Sequence, residues 1–138
     1  MPLLSRKGIL AIAAVIDVAL NSGTRPVSAK ALASRHGLPP RHLEPVLQAL
    51  VHEGILRGVR GPRGGYELGR NQDEISANEI LRAAGTVDEG FGSQLQGSPL
   101  VVTVVIPALA QAERAFAATL GGISLNDLVK RAEKAKLS

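Results

Sequence analysis

The run Gly61-Pro62-Arg63-Gly64-Gly65-Tyr66-Glu67-Leu68 constrains this chain more than any other stretch. Three glycines and a proline fall within the five positions 61–65, strong punctuation that marks a turn. The segment Ile55-Leu56-Arg57-Gly58-Val59-Arg60 directly precedes it. Together they predict a β-hairpin over roughly 55–60 and 65–69 with a tight, positively charged tip. An arginine at such a tip is poised to enter a narrow, negative groove. Alone this is only a hairpin; after a helix-turn-helix it is a wing.

The residues before it read as that helix-turn-helix. Ser5 is placed to cap a first helix that runs to about Asn21, with Ile9, Ala13, Ile16 and Leu20 as its apolar stripe. Asn21-Ser22-Gly23 ends it, and Pro26 follows as a stop. Ser28 is an N-cap for a short second helix, with Val27 and Leu32 spaced for a hydrophobic staple. That helix ends near His36, and Gly37 suits the left-handed position after it.

A third helix begins at Pro40 or Arg41 and reaches about Glu53, where Gly54 closes it. Leu43, Val46, Leu47 and Leu50 point inward; Arg41, Pro45, Gln48 and His52 lie opposite, with Glu44 on a flank. Pro45 has no N–H to donate, which predicts a late start with Pro45 in the first turn or just beyond. Ala33 is small where the two helices cross, and Leu32, Leu38, Leu43 and Val46 fill the space between them. Helix, helix and hairpin in this order make a winged helix-turn-helix.

Beyond the hairpin, Ser76 and Glu79 have capping-box spacing, with Ile75 and Ile80 as the staple, for a fourth helix ending near Ala84. Residues 85–98 read as a loop. Ser98-Pro99 opens a long alanine-rich helix to about Leu120, kinked at Pro107. Leu100, Val104, Ala108, Ala112, Ala115 and Phe116 form one face of it, a dimer seam or a surface for packing within the chain. Ser124-Leu125-Asn126-Asp127 starts a last helix with basic residues near its end. The expected fold is mainly α with a small β-hairpin. Residues 1–84 form the winged domain, 85–98 the connector, and 99–138 the dimerisation and C-terminal helices.

Charge separates the halves. Residues 1–70 hold ten Lys and Arg against four Asp and Glu, a net +6; residues 71–138 hold six against eight, a net −2. A polyanion partner for the N-terminal half follows from that asymmetry, as would a merely solvated basic face. The three aromatics, Tyr66, Phe91 and Phe116, are too few for a base-stacking platform. Double-stranded DNA is therefore the expected partner. The third helix would enter the major groove, with half-sites about 34 Å apart in a dimer.

Arg41 would fork onto guanine or clamp a phosphate, Gln48 would pair with adenine or a phosphate, and Glu44 would accept from a cytosine amino group or hold Arg41. Arg57, Arg60 and Arg63 supply wing charge, with Arg63 the minor-groove candidate. Arg6 and Lys7 would touch the backbone, and Ser28, His42 and Tyr66 complete the candidate set.

The chain has no cysteine, so thiolate metal sites and conventional iron–sulfur clusters are excluded. His36, His42 and His52 are not arranged with carboxylates at metal-ligand spacing, and His36 reads as a helix-end residue. No metal or other cofactor is expected. No nucleophile elbow or phosphate loop occurs, which speaks against an enzyme. No secretory signal opens the sequence, and the apolar run 100–110 is too short to span a bilayer. A cytoplasmic, nucleoid-associated protein is the expectation.

Leu4-Ser5-Arg6-Lys7-Gly8, Leu43-Glu44, Leu50-Val51-His52-Glu53-Gly54-Ile55-Leu56 and Arg60 through Leu68 resemble the Rrf-two family of bacterial transcription regulators, the group containing IscR, NsrR and CymR. Ile75-Ser76, Glu79-Ile80 and Ile123 through Leu128 fit the same plan. The resemblance implies a homodimer with two winged domains and a long dimerisation helix from Pro99 to about Leu120. It also implies that Glu44 helps to read bases. Many members carry three cysteines before the dimer helix and bind an iron–sulfur cluster there. The matching residues 86–98 have none, so the chain resembles the cysteine-free branch. That loop would take a small-molecule or protein effector, or serve as a plain connector. The competing class is a winged protein–protein interaction module, which would not need a +6 N-terminal half.

Overall fold

Helix α1 (Arg6–Leu20) opens the computed structural model, which describes residues 6–21, 25–37, 40–85 and 99–136. The expectations for Ser5, for the stop at Ser22-Gly23, for Leu38 and for residues 86–98 lie outside these ranges. The inward stripe of α1 differs from the predicted one. Leu10, Ala11, Ala14, Val15, Val18 and Ala19 are buried, whereas Ile9 is 49% exposed and Ala13, Ile16 and Leu20 are only half-buried. The reason is compositional: nearly every residue from Ile9 to Leu20 is apolar, so apolarity carries little phase information. Neighbours set the phase instead, and α1 is packed by α3, α4, β2 and the C-terminal helix.

Helices α2 (Ala29–His36) and α3 (Pro40–His52) follow as expected. The Ser28 hydroxyl accepts from the Ala31 N–H at 3.0 Å. Gly37 takes φ 63° and returns its N–H to the Ala33 carbonyl, a left-handed stop that costs a glycine no Cβ clash. Leu32, Ala33, Leu43, Val46, Leu47 and Leu50 are all buried. Pro45 departs from expectation. The helix is already formed at Pro40, so Pro45 lies in its interior, where proline costs about 3 kcal/mol.

Strands β1 (Leu56–Val59) and β2 (Gly65–Leu68) pair antiparallel, with Leu56 opposite Leu68 and Arg57 opposite Glu67. A third extended segment joins them. Val27 and Tyr66 exchange two backbone hydrogen bonds of 2.8 Å each, tying the hairpin to the residue just before the Ser28 cap. Gly65 makes this approach possible, because a Cβ there would lie 2.6 Å from the Val27 carbonyl.

A 3-10 turn (Gln72–Glu74) leads into α4 (Ala77–Ala84). Ser76 caps α4 as predicted, accepting from the Glu79 N–H at 3.2 Å. The Glu79 carboxylate, expected to reach back to the cap, pairs with Arg70 at 2.8 Å. A full capping box forms instead at Ser124 and Asp127, at the start of the C-terminal helix α6 (Leu125–Lys134). The entries to α4 and α6 pair with each other. Ala77 N–H donates to Ile123 at 2.8 Å, and Leu125 N–H donates to Ile75 at 2.7 Å. Leu125 and Val129 thereby join the same core as α1 and α3.

Between these helices, a π-turn (Val101–Val105) leads into α5 (Ile106–Gly121). The expected break at Pro107 appears as that turn: Pro107 has no N–H for the carbonyl four residues back, and the coil widens just before it. None of the residues of α5 is buried. Among the described residues, no helix is long and apolar enough to cross a membrane.

Candidate nucleic-acid interface

The buried side of α3 fixes which side remains for recognition. Leu43, Val46, Leu47 and Leu50 lock one face into the core, so Arg41, His42, Glu44, Pro45, Gln48 and His52 face solvent. Arg41, Glu44 and Gln48 recur every three or four residues and share one side. Among the described residues Arg41 forms no ion pair, so its five donors are available.

The wing stands beside this face. Gly64 N–H donates to the Gly61 carbonyl at 2.9 Å, closing a four-residue turn with Pro62 and Arg63 at its centre. Proline at the second position and glycine at the fourth are the preferences of a type I turn. Arg60 and Arg63 are exposed and, among the described residues, carry no ion pair. Arg57 differs: its Nε donates to Glu67 Oε1 at 2.8 Å across the strand pair. The hairpin register puts those two residues opposite each other, so part of the expected wing charge is neutralised at its base.

Gln48 and Tyr66 join the helix to the wing. The Gln48 side-chain amide donates to the Tyr66 hydroxyl at 3.3 Å. A groove of about 280 Å³ lies between the two elements, lined in part by Gln48, Val51, Arg60 and Tyr66. Ser28 is half-buried, and its hydroxyl oxygen accepts the capping hydrogen bond while its O–H has no acceptor among the described residues. Arg6 and Lys7 are exposed in the first turn of α1, which holds no acidic residue. Cations there oppose the helix dipole, so they do not serve the helix itself.

Asp17 was not legible as part of this apparatus. It is the one buried charged residue among those described, 3% exposed, in the apolar α1. The His36 ring donates to it, the Arg35 Nε lies 3.5 Å from it, and the Asn21 amide donates to it at 3.2 Å. His36 is thus the last residue of α2, as expected, and also an anchor of α2 to α1. A lone carboxylate inside an apolar helix was the available signal.

The proposed seam residues Leu100, Val104, Ala108, Ala112 and Ala115 are exposed, and Phe116 is half-buried. Sequence reasoning missed four further exposed apolar residues of this segment: Val102, Val105, Ile106 and Leu109, which are 44%, 37%, 45% and 63% exposed.

The sequence profile of the Rrf2 family, described as an iron-dependent transcriptional regulator, matches residues 4–131. The HTH-type transcriptional regulator IscR of Klebsiella pneumoniae (strain 342) is 33% identical over 135 residues, covering 94% of this chain and 81% of that protein. Among solved structures, IscR of T. potens superposes with a TM-score of 0.75 at 30% identity, over 98% of this chain and 91% of that one. CymR, the global cysteine regulator of B. subtilis, superposes with a TM-score of 0.71 at 25% identity, over 93% and 96%.

Iron held as a cysteine-ligated cluster does not fit these residues. The chain has no cysteine, and among the described residues no three His, Asp or Glu side chains gather closely enough to hold a metal ion.

Proposed function

The chain belongs to the Rrf2 family of DNA-binding transcriptional regulators, which are not enzymes, and from that premise we propose that it is a homodimeric repressor in which α3 enters the major groove and the wing the adjacent minor groove. The observation that carries this reading is the continuous surface formed by the outward face of α3 and the Gly61–Gly64 tip, joined through Gln48 and Tyr66. Arg41, Glu44 and Gln48 are its base readers, and His42 flanks them. Arg60 and Arg63 track the groove from the wing, Arg6, Lys7 and Ser28 contact the backbone, and Arg57 acts mainly through Glu67.

The exposed apolar side chains of Leu100, Val102, Val104, Val105, Ile106 and Leu109 support the homodimer, since a monomer would leave them in water. Residues 1–84 then form the reading unit, and the long helix presents two of them to half-sites about 34 Å apart. α6 packs back on the reading unit through Leu125 and Val129. Such a regulator acts in the cytoplasm, on the nucleoid. The cofactor-free reading rests on the missing cysteines.

Selection of bound fragments from the source genome, followed by titration of the winning site against salt, tests the reading. A palindromic site is expected, with affinity falling steeply as salt rises. No enriched site, or affinity indifferent to salt, would sink it. A winged protein–protein module has no observation in its favour here.

A further inference from the structure

We propose that Pro45 is a specificity-determining residue whose ring packs against the 5-methyl group of a thymine. The inference rests on the DNA-reading role of α3 proposed above. Pro45 lies in the interior of α3 and is exposed. It cannot donate to the carbonyl four residues back, that of Arg41, and its ring crowds that carbonyl. The core does not compensate, because the buried residues of this helix are Leu43, Val46, Leu47 and Leu50. Nor does Pro45 mark a boundary, because the helix starts at Pro40 and continues to His52. A costly residue on an outward face, with no packing role, points to what that face touches.

Its surroundings define the chemistry. At 100° per residue, Pro45 lies about 40° around the axis from Arg41 and about 60° from Gln48. Glu44 adjoins it in sequence. The face therefore has an apolar, rigid spot without donor or acceptor, set among three hydrogen-bonding side chains. Base edges in the major groove offer donors, acceptors and one apolar group, the thymine methyl. Against any other edge the ring would strip water from a polar group and give it no partner. The ring also has no rotamer freedom to lose on contact.

The test uses the full chain and its selected binding site. Each thymine is replaced in turn, in both half-sites, by deoxyuridine, which removes only the methyl group. At one position the wild-type chain is expected to bind about fourfold more weakly per half-site, the worth of one buried methyl. Pro45→Ser is expected to bind thymine and uracil equally at that position and to keep the wild-type response elsewhere. The variant keeps the fold, because it removes a helix-interior proline. If both proteins bind but no position separates them, or the half-site lacks thymine, the inference is overturned and the regulator reading stands. If the wild-type chain selects no DNA site, both are overturned.

Discussion

The Asp17 carboxylate, 3% exposed within an apolar helix, accepts a hydrogen bond from the His36 ring at the far end of α2. Taking a charge out of water is expensive unless partners surround it, and Asp17 has three, His36, Arg35 and Asn21. Two of them come from the last turn of α2, so the contact fixes where the helix-turn-helix sits on α1.

His36→Leu should lower the unfolding free energy by about 1–2 kcal/mol, the cost of one hydrogen bond to a buried carboxylate, because His36 itself is 36% exposed and Arg35 and Asn21 remain. Adding Asp17→Leu removes the stranded carboxylate and should recover most of that loss. Urea denaturation of both variants checks this. A double variant no more stable than the single one would contradict it.

Gly65→Ala should destabilise the chain by about 3 kcal/mol, the upper end for overpacking. The new Cβ would meet backbone atoms of Val27 at 2.6 Å and Ser28 at 2.8 Å, which cannot turn aside as a side chain can. Faster hydrogen exchange at the Val27 and Tyr66 amides would mark the separation of wing from α2. Unchanged exchange there would show that the wing tolerates the methyl.

Arg63→Ala should reduce the slope of log affinity against log salt by about 2 for the homodimer, about 1 for the charge lost from each wing. Arg57→Ala should change it far less, because Glu67 already holds that guanidinium. Equal slopes for the two variants would reject the distinction between tip and base.

Leu109→Glu should yield a monomer by light scattering, since Leu109 is 63% exposed on the proposed seam. Loss of the linked second half-site should weaken operator binding by about a hundredfold or more. A variant that remains dimeric would move the seam elsewhere.

The carboxyl of Asp127 is held below its usual range, first by the backbone hydrogen bond at Ser124 and then by the Ser124 side chain. Its folded value is the lower one, so the stabilisation is complete above the unfolded value of 3.8 and is lost as pH falls through the depressed folded value. Ser124→Ala should raise the Asp127 titration midpoint, as carbon-detected NMR would follow. An unmoved midpoint would reject the side-chain contribution and leave the effect to the Ser124 backbone N–H.

The local signals were legible because they are written in backbone chemistry. Ser28 and Ser124 each supply an oxygen where a helix has free N–H groups, and Gly37 supplies a left-handed stop. Gly61-Pro62-Arg63-Gly64 has the residues its turn demands. From these the sequence by itself determined the order of elements, the turn of the wing and the outward face of α3. Glu79 shows the limit: its spacing from Ser76 was correct, but Arg70, nine positions before it, offered a full opposite charge.

Tertiary structure alone decided which side of α1 turns inward, because an all-apolar helix takes its phase from what surrounds it. It also decided that His36 anchors to Asp17, that Val27 extends the wing through Tyr66, and that α6 returns to the core through Leu125. Each of those pairs is separated by 19 or more positions, and no local rule chooses between distant partners. Burial makes that choice, since a charge or a backbone N–H removed from water must find its partner wherever the chain brings one.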